Sequence, residues 1–383
     1  MIRAIALSLL ACSAPIGART GLRVGDRDGG AGDFADGAPG PDASLPQDAG
    51  GDAAPEDPIC DPTTQAVDLL FVIDNSGSMA EEQASLTQNL PALVLALSDP
   101  PDADGDGQPD QPAVRDLHIG VVSTDMGTGA FRGSCDDYVD GDDGVLQHEP
   151  SGRVAGCEKS YPTFLQHDAD APDPDLATDF ECIATLGTDG CGYEQSLGAL
   201  EKAIGVHADP GRPNDGFLRE SALFAAVIVS DEDDCTAFDR RFFNWEKGLD
   251  CYENRDWLDA VDETVLAVLE TKTDPSHVSV SAIVGVPVDL VSLTEADLAS
   301  GDPQTAEDFD AVLFDDRMQF TWIEGRLQSS CQAAGIGSAY PPRRLVELVA
   351  GVDAAGGRGL VQSICQRDWS GVMAGISRVI PCP

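Results

Sequence analysis

This 383-residue chain carries 23 basic residues against 67 acidic ones, a formal charge of −44. That balance argues against nucleic-acid binding, which needs Lys and Arg to displace counterions from phosphates, and it suits hard cations, solubility and basic partners. With 42% hydrophobic residues the chain can bury a substantial core, and its length allows about one to three domains.

The N-terminus, MIRAIALSLLACSAP, places one Arg before an apolar run too short to span a bilayer. It resembles a bacterial lipoprotein signal, because Leu9, Leu10, Ala11 and Cys12 match the lipobox. The resemblance implies that residues 1–11 are a signal peptide and that Cys12 carries lipid on its sulfur. Ser13 rather than Asp after that cysteine implies sorting to the bacterial outer membrane, so the chain is expected to be exported and held at the cell surface through a lipid anchor only. An ordinary secretory peptide is the alternative. Residues 12–62 are Gly, Ala, Pro and Asp with hardly an apolar side chain. Such a segment cannot bury enough surface to offset its ordering entropy, so a disordered tether is expected.

From residue 63 to 383 strands and helices alternate. Residues 66–73 form a near-continuous apolar run, as in a strand covered on both faces. Residues 81–97 have helical character, which Pro91 is expected to kink or split. DLHIGVVSTD is a second strand, and YEQSLGALEKAIG is a helix with Leu197, Leu200, Ala203 and Ile204 on one face. ALFAAVIVSDEDD is a third buried strand ending in acid, HVSVSAIVGV a fourth, PPRRLVELVAGV a helix, GLVQSI a short strand and DWSGVMAGISRVI a closing helix. The alternation predicts an α/β fold: a doubly wound, mostly parallel sheet with helices on both faces. Ligands of such sheets bind outside the carboxyl ends of the strands, where Asp74 and Asp231 sit. Stretches 126–181, 236–262 and 288–335 break the alternation; rich in Asp, Gly, Pro and Cys, they read as disulfide-pinned insertions.

Of 11 cysteines, setting Cys12 aside leaves an even set: Cys60, Cys135, Cys157, Cys182, Cys191, Cys235, Cys251, Cys331, Cys365 and Cys382. In an exported chain that argues for disulfides, and no Cys or Cys/His spacing suggests zinc. Local pairs, Cys182 with Cys191 and Cys235 with Cys251, are the expected ones, since each flanks a motif described next.

In VIDNSGSM a buried strand ends in Asp74, Ser76 and Ser78, whose alternate positions can aim three oxygens into one space. A helix start alone also explains part of it, because Ser78 and Glu81 spell a capping box. The capping reading leaves Asp74 and Ser76 without a reason, and a carboxylate ending a buried strand wants a strong partner. The motif resembles the D-x-S-x-S element of the von Willebrand factor type A domain, the fold also found as the integrin I domain. The strand order, the acid after VIVS and the closing helix are similar as well.

The resemblance implies a metal-ion-dependent adhesion site (MIDAS) holding Mg²⁺ or Mn²⁺. Asp74, Ser76 and Ser78 would be its first loop and Asp231 its third. Where the family has a Thr in its second loop, GTDGCGYEQSLGAL offers Glu194, with Thr188 earlier in the loop. Glu194 would bind the metal more tightly and leave it less open to a partner's carboxylate; as a helix N-terminal acid it would instead serve the dipole. Thr124 and Asp125, which end the second strand, are weaker candidates, and Glu232, Asp233 and Asp234 read equally well as a solvated acidic turn. Asp102, Asp104, Asp106 and Asp110 fall at positions 1, 3, 5 and 9 of a calcium loop with Gly107 at position 6, but position 12 is Ala113 rather than Glu. DGDDG at 140–144 is a weaker Ca²⁺ candidate.

Three function classes compete. The resemblance implies a cell-surface adhesion module that engages an acidic group of an unidentified protein ligand, without enzymatic activity. The second class is a structural envelope protein in which the metal only pins loops. The third is a metal-dependent phosphohydrolase of the haloacid dehalogenase type, which needs D-x-D where this chain has Ser76, and a Lys ahead of the second acid that is missing. G-x-S-x-G is absent, and the five histidines stand in unremarkable contexts.

Overall fold

The computed structural model describes residues 65–100, 102, 107, 109, 112–129, 135, 140–244, 250–299 and 303–380. These belong to one compact unit, Ala54–Pro383. The signal segment, Cys12, the tether, Cys60, Cys382, and Asp104, Asp106 and Asp110 of the expected calcium loop lie outside the described residues.

The strands are β1 (Ala66–Ile73), β2 (Asp116–Ser123), β3 (Leu165–Asp168), β4 (Leu223–Val229), β5 (Val278–Val284), β6 (Trp322–Ile323), β7 (Arg326–Leu327), β8 (Cys331–Ala333), β9 (Gly337–Ala339) and β10 (Arg358–Ser363). The helices are α1 (Glu82–Ser98), α2 (Leu176–Ala184), α3 (Ser196–Ile204), α4 (Asp250–Glu253), α5 (Val261–Leu269), α6 (Glu295–Ala299), α7 (Ala306–Phe314), α8 (Arg343–Ala354) and α9 (Ser370–Val379). Six strands form one sheet in the order β10-β5-β4-β1-β2-β3, and two short hairpins, β6-β7 and β8-β9, stand apart from it. The pairs β1–β2, β1–β4, β4–β5 and β5–β10 are parallel, and only the edge strand β3 runs antiparallel, against β2. The architecture is therefore α/β with a mostly parallel six-stranded sheet. Stretch 126–181 supplies that antiparallel edge strand and α2, and 288–335 supplies α6, α7 and the first hairpin.

Every residue of β1, β4 and β5 is buried, because helices cover both faces of the sheet. Val67, Leu69, Phe71 and Ile73 pack with Leu86 and Leu93 of α1, Phe180 of α2 and Ile376 of α9. Leu70 and Val72 point the other way, into a core with Leu197 and Leu200 of α3, Val265 of α5 and Leu345 of α8. Each such fully buried side chain contributes about 1.5–3 kcal/mol relative to exposure.

Helix α1 is not split at Pro91: the proline lies inside one 17-residue element. Leu86, Leu93, Val94 and Leu97 are all buried against the sheet, and that packing on either side of the proline offsets the single backbone bond it removes.

Four cysteine pairs stand at disulfide distance: Cys135–Cys191, Cys157–Cys182, Cys235–Cys251 and Cys331–Cys365, with Cα separations of 4.4, 5.7, 5.4 and 6.0 Å. The local expectation holds for Cys235–Cys251 and fails for Cys182–Cys191. Cys182 lies in the last turn of α2 and faces the loop carrying Cys157, while Cys191 meets Cys135 in a small satellite core with Tyr193, Cys235, Phe242, Phe243 and Cys251. Among the described residues no helix is long and apolar enough to cross a membrane.

Candidate functional site

Register builds the site. Ile73, the last residue of β1, lies opposite Ser123 of β2 and Val229 of β4. Three strands thus end level, and Asp74, Thr124 and Ser230 leave the sheet side by side. Their backbones continue the ladder for one more step: Asp74 N–H donates to Val229 O at 2.9 Å, Thr124 N–H to Ile73 O at 3.2 Å and Ser230 N–H to Ile283 O at 3.3 Å.

Asp74 is fully buried. Its Oδ1 accepts the Ser76 amide at 2.8 Å and its Oδ2 the Ser230 hydroxyl at 2.7 Å. Gln83, in the first turn of α1, donates through Nε2 to Asp74 O at 3.1 Å and fixes the loop against the helix. The hydroxyls of Ser76 and Ser78 are 2.9 Å apart, and Ser78 Oγ donates to Asp231 Oδ1 at 3.1 Å. Ser78 thus reaches the third loop rather than capping α1, which begins without any side-chain cap bond. The capping alternative does not describe this serine.

The second loop is stitched to both others. Gln195 N–H donates to Thr124 O at 3.0 Å and Cys235 N–H to Glu194 O at 2.7 Å. Tyr193, beside Glu194, is anchored in the satellite core against Phe243, ring centroids 5.0 Å apart. Glu194 is consequently 3% exposed. Its carboxyl lies close enough to that of Glu232 for each to affect the other's protonation. Thr124 is fully buried with its hydroxyl near enough to Asp74 to favour the carboxylate, although no hydrogen bond of good geometry satisfies that hydroxyl.

The electrostatics are those of crowded buried acids. Burial raises Asp74, and its bonds to Ser230 and Ser76 oppose the rise. Burial, then Asp74, Glu232 and Glu82, push Asp231 up to about 9. Burial and Asp74 lift Glu232 to about 7, and burial, Glu232 and Asp74 hold Glu194 well above the usual carboxylate range. The charges acting on Asp231, Glu232 and Glu194 are other carboxylates.

The four acids that follow Ser230 have four different tasks. Asp231 meets Ser78 and Glu232 meets Glu194. Asp233 accepts the Arg344 amide at 2.9 Å at the start of α8, and burial raises it to about 7 despite Arg344 and Arg255. Asp234 accepts the Leu197 amide of α3 at 2.8 Å through Oδ1 and Arg344 Nε at 3.0 Å through Oδ2. A solvated acidic turn is therefore not what this run forms: Asp233 and Asp234 are 5% and 0% exposed. They brace the helices beside the site.

The remaining candidates fall elsewhere. Asp125 gives its oxygens to the amides of Gly127 at 2.9 Å and Cys191 at 3.2 Å, so it shapes the second and neighbouring loops. Thr188 lines a separate cleft with Ala80, Gln83, Thr87 and Arg153. Asp102 accepts the Gly107 amide at 2.9 Å, and Gly107 has the positive φ of 88° that a tight turn there demands. Ser230 is the site residue that sequence reasoning did not single out, and Glu232 was left open there as part of an acidic turn. The signal for Ser230 was present: it ends the apolar run of β4 as Asp74 ends that of β1.

Among the described residues no three Asp, Glu, His or Cys side chains form a ready-made metal-binding group. What converges is different in kind: Asp74 and Asp231 joined by the hydroxyls of Ser76 and Ser78, with an unsatisfied Thr124 hydroxyl alongside. An all-oxygen set rich in hydroxyls, with buried acids and no countercharge, fits a hard divalent cation that keeps part of its water shell. Comparison with known proteins finds no matching family model and no matching curated protein.

Proposed function

We propose that this chain is a von Willebrand factor A-like module that binds Mg²⁺ or Mn²⁺ through an adhesion-type site and uses it to engage an acidic group of a protein partner. The observation that carries the reading is the Ser78–Asp231 hydrogen bond at 3.1 Å beside the buried Asp74, at the level carboxyl ends of β1 and β4. Asp74, Ser76 and Ser78 would hold the cation, with Asp231 and Thr124 positioned to hold its water. The cation supplies a Lewis-acidic point of attachment for a partner's carboxylate. The chain's own contribution is to orient hydroxyl donors, which ligate without cancelling the metal's charge. Cys12 would carry the lipid that keeps the module at the outer-membrane surface, and residues 102–110, which precede β2 in the chain, would take Ca²⁺. No enzymatic step is part of this reading.

A second reading is favoured by one observation: the carboxyls of Glu194 and Glu232 lie close together near Asp74. If Glu194 completes the coordination shell, the metal pins three loops and the protein serves the envelope structurally. One experiment separates the two. Asp74→Ala is expected to abolish Mn²⁺ binding in calorimetry in either case. Capture of a surface partner that is lost in EDTA and in Asp74→Ala supports adhesion; capture that survives both overturns it. Phosphatase activity lost in Asp74→Asn would overturn both.

A further inference from the structure

We propose a further cation site, distinct from the Asp74 cluster and from residues 102–110, in the pocket of about 160 Å³ lined by Asn75, Asp125, Asp142, Asp189 and Gly190. Two loops supply its acids. Asp125 follows β2, and Asp142 belongs to the DGDDG turn whose Asp142 and Asp143 amides both donate to Asp125 O, at 2.8 and 3.2 Å. Gly141 is required at the head of that turn: it has φ of 57°, and a Cβ there would collide with Asp125. The turn is therefore pressed onto Asp125, bringing two carboxylates to one wall although each raises the cost of charging the other.

The independent sign of a ligand is Asn75. Its side chain is 9% exposed, lines this pocket, and leaves Oδ1 buried without a hydrogen-bond partner. A buried amide oxygen without a donor costs about 1–3 kcal/mol, so it asks for a water or a cation. Gly190 lies directly against it; any side chain there would displace the amide. Asp125 and Asp142 each commit oxygens to protein donors, Gly127 and Cys191 for the first and Ser123 for the second, but a carboxylate oxygen has a further lone pair for a metal. Asp189, 95% exposed and paired with Arg153, stands at the mouth. Two carboxylates, an amide carbonyl and water suit Ca²⁺, whose coordination is larger and less rigid than that of Mg²⁺. Asn75 separates Asp74 from Ser76, and its carbonyl accepts the Gly190 amide at 2.8 Å. An ion here would thus hold the first loop to the second.

The test is Ca²⁺ calorimetry on the full chain carrying Asp74→Ala and Asp102→Ala, which removes the first site and the candidate calcium loop. One Ca²⁺ is expected to bind still. Adding Asp142→Asn, or separately Asn75→Ala, is expected to weaken it at least 10-fold while the far-ultraviolet circular dichroism is unchanged. No Ca²⁺ binding to the parent variant, or binding that neither substitution weakens, would overturn the proposal. If one substitution unfolds the protein, the other decides. The background lacks Asp74, so the outcome does not depend on whether the adhesion-type reading stands.

Discussion

The Ser78 hydroxyl donates to Asp231 Oδ1 at 3.1 Å, joining positions 153 residues apart in the chain. Two strand ends in register make that bond, and it closes the first loop onto the third before any ligand arrives. Ser78→Ala should therefore weaken Mn²⁺ about 10-fold or more, as loss of an orienting partner does at metal sites. Because Ser78 itself is exposed, global stability should fall by only about 0.5–1.5 kcal/mol, the net value of one hydrogen bond. Calorimetry beside urea unfolding separates the two effects. A stability loss as large as that of a core truncation, with unchanged Mn²⁺ affinity, would assign the serine to the fold alone.

Arg344 should be the costliest single polar residue near the site. It is 4% exposed, bonds Asp234 through Nε at 3.0 Å, and donates to Asp259 O at 2.7 Å. Removing one member of a buried ion pair strands the other, at about 3–5 kcal/mol. Arg344→Ala is expected to lower the urea midpoint accordingly, and Arg344→Lys to recover little, because an ammonium cannot reproduce the directed guanidinium bonds. The double variant Arg344→Met with Asp234→Asn should be less destabilised than Arg344→Ala, since the Asp234 charge is then not left without its partner.

Glu82 gives the protein a pH dependence with a defined sign. Burial, aided by Glu81 and Asp74, raises its pKa to about 7 from an ordinary 4.5, and its Oε2 is buried without a partner. Between those values the folded chain holds a proton that the unfolded chain has released, so stability falls as pH rises from about 4.5 to about 7 and levels off above. Glu82→Gln should make that limb of the stability–pH curve shallower, with Glu232 and Asp233 still contributing to it, and stabilise the protein at pH 8. Thermal unfolding across pH 4.5–8 in EDTA reads both effects. An unchanged slope in the variant would place the titration elsewhere.

How much of this was legible beforehand follows from where each constraint resides. β1, β4 and β5 were readable because strands covered on both faces must be apolar throughout, a purely local signal. Asp74 was readable because a carboxylate ending such a strand is expensive without a partner. Its neighbours in space were not. That Glu232 faces Glu194 while Asp233 and Asp234 serve α8 and α3 depends on which way each side chain leaves one short loop, and four consecutive acids give no period to tell them apart. The pairing of Cys182 with Cys157 rather than Cys191 likewise depends on how a long loop folds back onto α2. The antiparallel β3, four residues within an acidic stretch, is stabilised by pairing with β2 and not by its own composition.

Gly190 offers a test at a residue that is not itself a proposed ligand. It has no positive φ, so alanine is conformationally acceptable there, yet an added Cβ would run into the Asn75 amide. Asn75 would have to move, and with it the loop between Asp74 and Ser76 and the bond from Gly190 N–H to Asn75 O at 2.8 Å. Gly190→Ala is thus expected to cost about 1–3 kcal/mol, as over-packing does, and to weaken Mn²⁺ several-fold. Asn75→Ala in the same chain removes the obstructing amide. The double variant should regain most of the lost stability, with a coupling energy of about 0.5–3 kcal/mol in a double-mutant cycle. Strict additivity of the two substitutions would mean that Gly190 acts through some contact other than Asn75.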